Sequence, residues 1–206
     1  GYERYELLDG KKGIILLSCW AHARRKFSDA IKNDRERAES ALEQIQLLYE
    51  VERQIKDQAL CFEEAAKLRV RLAYPIMVRF EKWLVAEHAK VIKGSPIEKA
   101  ILYTYNRFNK LSRYHLDGRY NIDNNGIENA ARPVAVGRKN YLFCQNDDTA
   151  ESTAIIYSFM GCCKAAKVNF RTWMIYFLDH VHDYDQDYTR DIAELLPDNL
   201  KDAGVL

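Results

Sequence analysis

The chain is 206 residues long and 48% hydrophobic, enough apolar material to bury a core and to exclude a disordered chain. Thirty-one basic against 30 acidic residues leave a net charge of +1, so any nucleic-acid surface has to be a local patch. Nine glycines and four prolines are few at this length, which favours helix over a turn-rich all-β fold. In chain order, Tyr2 and Tyr5 come first and are expected to pack together. Residues 13–18 (GIILLS) form a continuous apolar run behind a Lys-Lys-Gly turn and read as a short buried strand. Residues 19–27 (CWAHARRKF) then read as the start of a helix.

From there to about residue 113 the pattern is helical. Leu42, Ile45, Leu48, Val51, Ile55 and Ala59 step by three and four, with charges between them. Pro75 marks a new start, because proline is tolerated in a first turn and breaks an interior; Phe80, Trp83 and Leu84 carry the apolar face after it. Ser95-Pro96-Ile97-Glu98 is a capping box, followed by Ile97, Ile101, Tyr105, Phe108 and Leu111 at helical spacing. Asp117-Gly118 ends the segment in a turn. Residues 28–117 thus form an all-helical block between residues 1–27, a strand plus a helix, and residues 118–206.

In the last third, residues 120–122 look strand-like, and Asp123-Asn124-Asn125 caps a helix running through Glu128 to about Arg132. Residues 133–136 and 141–144 frame a basic turn, Gly137-Arg138-Lys139-Asn140. Asp148-Thr149-Ala150-Glu151 is a second capping box and opens a helix to about Lys167. A further helix covers residues 172–182, and the chain trails off through Glu194-Leu195-Leu196-Pro197.

The cysteines are Cys19, Cys61, Cys144, Cys162 and Cys163. An odd number, two of them adjacent, within apolar segments, reads as reduced, buried thiols in a cytoplasmic protein. Cys19-x-x-His22 and His180-x-His182 have ligand-like spacing, yet no second pair completes a zinc site. No apolar run approaches the roughly 18 residues that span a bilayer, so no membrane partner is expected. There is no signal peptide and no initiating methionine, and the chain reads as a piece of a longer protein.

Two groups of residues have the chemistry of a site. Glu128 suits a helix first turn, where an acid complements the dipole. Alternatively Glu128, and with it Asp123, are ligands for a divalent cation, although one carboxylate is not a site. Arg132, Arg138 and Lys139, beside Asn140, Tyr141 and Phe143, read either as a solvated face or as phosphate contacts with stacking aromatics. Arg24, Arg25 and Lys26 carry the same choice between surface snorkelling and DNA-backbone contact. Trp20 and Phe27 read as core anchors, and His22 as a hydrogen-bonded structural histidine or a catalytic one.

In order, Gly1-Tyr2-x-x-Tyr5, residues 19–27, Ile122-Asp123-Asn124-Asn125-x-x-Glu128, residues 131–143 (ARPVAVGRKNYLF), Ile155-Ile156-Tyr157-Ser158 and Glu194-Leu195-Leu196-Pro197 resemble the insertion sequence 66 family of transposases. The resemblance covers nearly the whole chain, most weakly through residues 34–94. It implies a mainly α fold with a small β remnant: part of a ribonuclease H-like α/β core carrying a large helical insertion. It also implies an Asp-Asp-Glu triad that holds two Mg²⁺ (or Mn²⁺) ions and cuts and joins DNA strands at transposon ends. Carried over by position, Glu128 is the triad glutamate, and Cys19 and His22 match a Cys-x-x-His signature that follows the second aspartate. Arg24, Arg25, Lys26, Arg132, Arg138, Lys139, Asn140 and Tyr141 would face DNA, with Cys19, Trp20 and His22 in supporting roles.

One departure qualifies this. In the family the second aspartate directly precedes the Gly-Tyr found here at Gly1-Tyr2, and the first lies further upstream. This chain therefore holds one triad member of three and is expected to be inert alone, with metal bound only in the full-length protein. A homo-oligomeric parent and accessory proteins encoded by the element are the implied partners besides DNA. The alternative function is a non-catalytic helical DNA-binding or assembly module, in which Glu128 only caps its helix.

Overall fold

Trp20, Ala23, Phe27 and Ala30 recur at steps of three and four and are all fully buried, which makes helix α1 (Trp20–Ala30) the pivot of the first part of the chain. The computed structural model describes residues 8–11, 13–187 and 189–206; the Tyr2–Tyr5 pair and the Gly1-Tyr2 motif lie outside them. The chain is mainly helical, 74%, and divides into two compact units, Gly1–Gly126 and Ile127–Leu206.

In the first unit, α2 (Arg35–Asp57) starts on Asp34, whose carboxylate accepts the Arg37 N–H. Its buried stripe is Ala38, Ala41, Ile45, Leu48 and Val51. Ala59 falls beyond the helix, at a left-handed φ of 48°, and does not continue the stripe. Phe62–Leu68 (α3), a π turn at Arg69–Ala73 and Tyr74–His88 (α4) form one continuous helical run. Pro75 therefore does not follow a break: the Tyr74 N–H reaches back to the Arg69 carbonyl, and the wide turn takes in the missing proline donor. Ser95 caps α5 (Pro96–Asn106) as expected, at 3.3 Å from the Glu98 N–H. The Glu98 carboxylate closes the cap one residue early, on the Gly94 N–H at 2.8 Å. The helix breaks at Arg107 before α6 (Phe108–Ser112), so Phe108 and Leu111 are buried while Tyr105 is exposed and Thr104 takes its inward place.

These helices close over an aromatic centre. The Trp20 ring lies 6.1 Å from both Phe80 and Phe108, and its indole N–H donates to the Leu111 carbonyl at 2.9 Å. Phe80 in turn stacks on Trp83 at 5.7 Å.

The expected β remnant is absent among the described residues. A strand needs a neighbour to pair with, and residues 13–18 find other partners. The Leu16 N–H goes to the Asp9 carboxylate and the Ser18 N–H to the Lys110 carbonyl. Ile14 and Ile15 are exposed and not buried. Residues 120–122 are irregular too, with Ile122 buried and its carbonyl accepting the Trp20 N–H.

Gly118 follows a 3₁₀ turn (Arg113–Leu116) and lies so close to α3 that a Cβ would fall on the Phe62 carbonyl and Cα. Backbone on both sides leaves no side chain to move aside. Gly118→Ala is expected to cost about 1–3 kcal/mol, read as a lowered urea midpoint with an unchanged slope; an unchanged midpoint would show that the turn opens freely.

Ion pairs hold the edges of this unit. Hydrogen bonds from Arg113 keep the Asp9 carboxyl below its usual range; Arg37 does so for Asp34, and Lys90 and then Arg37 for Glu87. Asp117 is held at about 2 by Arg119. Depressed carboxyl values give stability that is full above the unfolded values of about 4 and is lost as pH falls through the folded ones. The melting temperature is expected to hold from pH 7 to about 5 and to fall from about 4 towards 2. Arg37→Gln should lower the melting temperature at neutral pH and make that fall shallower, and an unchanged pH profile would show that these pairs contribute nothing.

The second unit contains most of α7 (Asn125–Tyr141), followed by α8 (Asp147–Ala166), α9 (Phe170–Gln186) and α10 (Pro197–Asp202). The α8 cap is Asn146, accepting the Thr149 N–H at 2.9 Å, two residues before the expected Asp148 box. Trp173 is the centre, 4.8 Å from Phe159 and 5.4 Å from Phe177. The chain does not trail off after α9. A 3₁₀ turn (Ile192–Leu195) brings the Leu195 carbonyl to the Trp173 indole N–H at 2.8 Å, and Leu195 and Leu200 are buried. All five cysteines are free; Cys163 is buried as expected, whereas Cys61 and Cys162 are exposed. No described helix is long and apolar enough to cross a membrane.

Candidate functional site

Helix α7 changes the geometry of the second candidate group. Its sequence contains Pro133 and Gly137, two turn signals, yet it stays helical for 17 residues to Tyr141. Ala130, Ala131 and Ala135 favour that state, so the expected basic turn at 137–140 is instead the last turn of a helix. Positions 128, 132, 135 and 139 then lie on one face, which brings Glu128, Arg132 and Lys139 into a stripe about 16 Å long, with Arg138 about a quarter-turn away. Glu128 is half-buried in the first turn, and Arg132, Arg138, Lys139 and Asn140 are exposed. An acid at the start and two cations at the end also complement the helix dipole.

Gly137 serves packing and not a turn. A Cβ there would meet the Tyr157 hydroxyl, so the missing side chain lets α8 approach α7. A hydrogen bond to Tyr157 raises the Tyr141 phenol above its ordinary value. Tyr141, expected to face DNA, is 39% exposed and anchored at its hydroxyl.

Asp123 sits just before α7 within the first unit. Its carboxylate accepts the Asn125 N–H at 3.0 Å, the Asn125 side-chain amide at 2.9 Å and the Tyr49 hydroxyl at 2.9 Å. Within the expected Asp123-Asn124-Asn125 cap it is thus Asp123 that supplies the turn that starts the helix. Burial, and then the Asp123 hydrogen bond, push the Tyr49 phenol upward. Among the described residues no three His, Cys, Asp or Glu side chains gather in a way that holds a metal ion.

On α1, the inward face takes Trp20 and Phe27, and the outward face presents Arg24, Arg25 and Lys26, all exposed. The Lys26 ammonium lies 5.6 Å from the Tyr103 ring centre, so its stem runs back over α5. Cys19 and His22 are half-buried. Between α1 and α2 the surface opens into a cleft of about 690 Å³ lined by Arg24, Arg25, Arg53 and Lys56. The α2 residues were not among the sequence candidates. Their signal is the polar stripe Gln46, Tyr49, Arg53 and Lys56, which reads as a solvated face until α1 is known to lie beside it.

These features define a helical protein with basic faces on α1, α2 and α7 and a half-buried acid in the first turn of α7. The family profile described as Transposase IS66 family matches residues 1–152, and the chain belongs to that family. Similar proteins include y4hP, y4jD and y4qI of Sinorhizobium fredii, each named only as an uncharacterized protein. Identity to y4hP is 31% over 93% of this chain and 36% of that protein. For y4jD it is 29% over 98% and 40%, and for y4qI 31% over 93% and 35%. The chain thus spans about two fifths or less of the length of these relatives. No solved structure matches it.

Proposed function

We propose that this chain is the C-terminal part of the catalytic region of a DNA transposase of the Asp-Asp-Glu type, with Glu128 as its triad glutamate. The observation that carries the reading is the family match over residues 1–152, which runs through Glu128 and both basic segments. In this reading Arg132, Lys139 and Arg138 on α7 contact the DNA backbone, and Asp123 fixes the start of the helix that presents Glu128. Residues 13–18, with Ile14 and Ile15 exposed, take ladder partners from a ribonuclease H-like core supplied by the rest of the protein.

Such a core uses Mg²⁺ or Mn²⁺ to activate the attacking oxygen on a phosphodiester. The described residues do not by themselves fit a two-metal centre, since no acidic cluster forms and Asp123 is already engaged by Tyr49 and Asn125. Glu128 supplies one carboxylate, the other two come from elsewhere in the full-length protein, and the chain alone does not cut DNA.

The second reading, a non-catalytic helical DNA-binding or assembly module, is favoured by the match between the charges of α7 and its dipole. Strand nicking and joining by the full-length protein and its Glu128→Gln variant, on transposon-end DNA with Mg²⁺, separates the two. Loss of activity in a folded, DNA-bound variant supports the first reading, and retained activity makes Glu128 a helix cap.

A further inference from the structure

The cleft between α1 and α2 lies wholly within the first unit. On α1, Arg24, Arg25 and Ser28 fall at steps that share one face; on α2, Gln46, Arg53 and Lys56 do the same. Small residues open the α1 wall, at Ala21 and Ser28. The α2 wall runs about 15 Å from Gln46 to Lys56, long enough to follow several phosphates of one DNA strand, whose charges advance about 3.4 Å each along the duplex axis.

The charge balance is one-sided. Four cations line the cleft against a single carboxylate, Glu52. That carboxylate is held by a two-pronged bond from the buried Arg69, at 2.9 and 2.7 Å, so its charge is met from behind. Arg53 is paired with Glu50 on the exposed surface of α2, a contact that a phosphate can displace. The one aromatic side chain in the lining, Tyr49, is half-buried with its hydroxyl given to Asp123, so no free ring is offered for base stacking. The cleft has the features of a backbone contact and lacks those of base readout.

We propose that this cleft holds the phosphate backbone of one strand of duplex DNA, and that Arg53 and Lys56 of α2 are sequence-independent DNA-positioning residues. The inference rests on the transposase reading, and adds a surface in the helical block to the basic segments of α1 and α7.

The test measures binding of the full-length protein to labelled duplexes in EDTA, with transposon-end and unrelated sequences, over a range of salt concentrations. Arg53→Gln/Lys56→Gln is expected to weaken both by at least about tenfold at fixed salt and to reduce the log–log salt slope by about 1.8. Arg53→Lys should restore most of the affinity lost at that position. Arg79→Gln/Lys82→Gln, which removes the same charge from the exposed side of α4, should change neither quantity. Wild-type affinity and slope in the cleft variant would overturn the proposal and leave the transposase reading intact. Weakening confined to the transposon-end duplex would also overturn it, because a backbone contact does not read sequence. If the wild-type protein neither binds DNA in EDTA nor joins strands in Mg²⁺, the transposase reading falls together with the proposal.

Discussion

Glu128→Gln in the full-length protein is expected to lower strand nicking and joining by at least about a thousandfold, on the order of 4 kcal/mol of barrier. Glutamine keeps the size and the hydrogen-bonding reach of the side chain and removes only the charge. A structural role for that charge has a smaller ceiling, because an acid in a helix first turn contributes about 0.3–1 kcal/mol through the dipole. The two roles therefore predict different observables. A triad carboxylate lost to glutamine leaves melting temperature and DNA affinity nearly unchanged while turnover collapses. A cap lost to glutamine moves the melting temperature by a few degrees and leaves turnover alone. Glu128→Asp sharpens the distinction, since it keeps the charge but withdraws it by one methylene. A cap tolerates that change, whereas a metal ligand in a fixed geometry does not.

The sequence made some of this visible for physical reasons that can be named. Trp20 and Phe27 were legible as core anchors because helical periodicity is a local property. The same holds for the Ser95 cap, a contact between residues three apart in the chain. Features decided by distant partners were not legible. Residues 13–18 have a strand composition, but whether they form a strand depends on which backbone lies alongside, and here the Leu16 N–H meets the Asp9 carboxylate and the Ser18 N–H the Lys110 carbonyl. Pro133 and Gly137 signalled a turn because their local cost in a helix is real. Gly137 stays helical, and what it accommodates is the Tyr157 hydroxyl, twenty residues away. The α2 wall of the basic cleft was hidden likewise: Arg53 and Lys56 are an ordinary polar stripe until α1 lies against them.

Arg69→Met is expected to be among the most destabilising single changes in the first unit, at about 3–5 kcal/mol, a large share of the 5–15 kcal/mol typical of a whole domain. Arg69 is 3% exposed, and its guanidinium donates to both Glu52 oxygens and to the carbonyls of Tyr114 at 3.0 Å and Asp117 at 2.9 Å. One side chain thus ties α2, the π turn and the segment before Gly118 together. Methionine fills similar volume but leaves a carboxylate and two carbonyls without their donor. In the double variant Glu52→Leu/Arg69→Met the stranded charge is gone, so part of the loss should return, with a coupling energy of about 1–3 kcal/mol. The rest reflects the two carbonyls, which no change at Glu52 repairs. Urea midpoints of the four proteins measure this, and a single-variant cost below about 1 kcal/mol would show that water reaches the pair and replaces Arg69. The same change bears on DNA, because Glu52 lines the basic cleft. In a variant still folded at low temperature, an uncompensated Glu52 should weaken DNA binding, and the double variant should restore it. Recovery of affinity without full recovery of stability would separate the electrostatic role of Arg69 behind the cleft from its structural one.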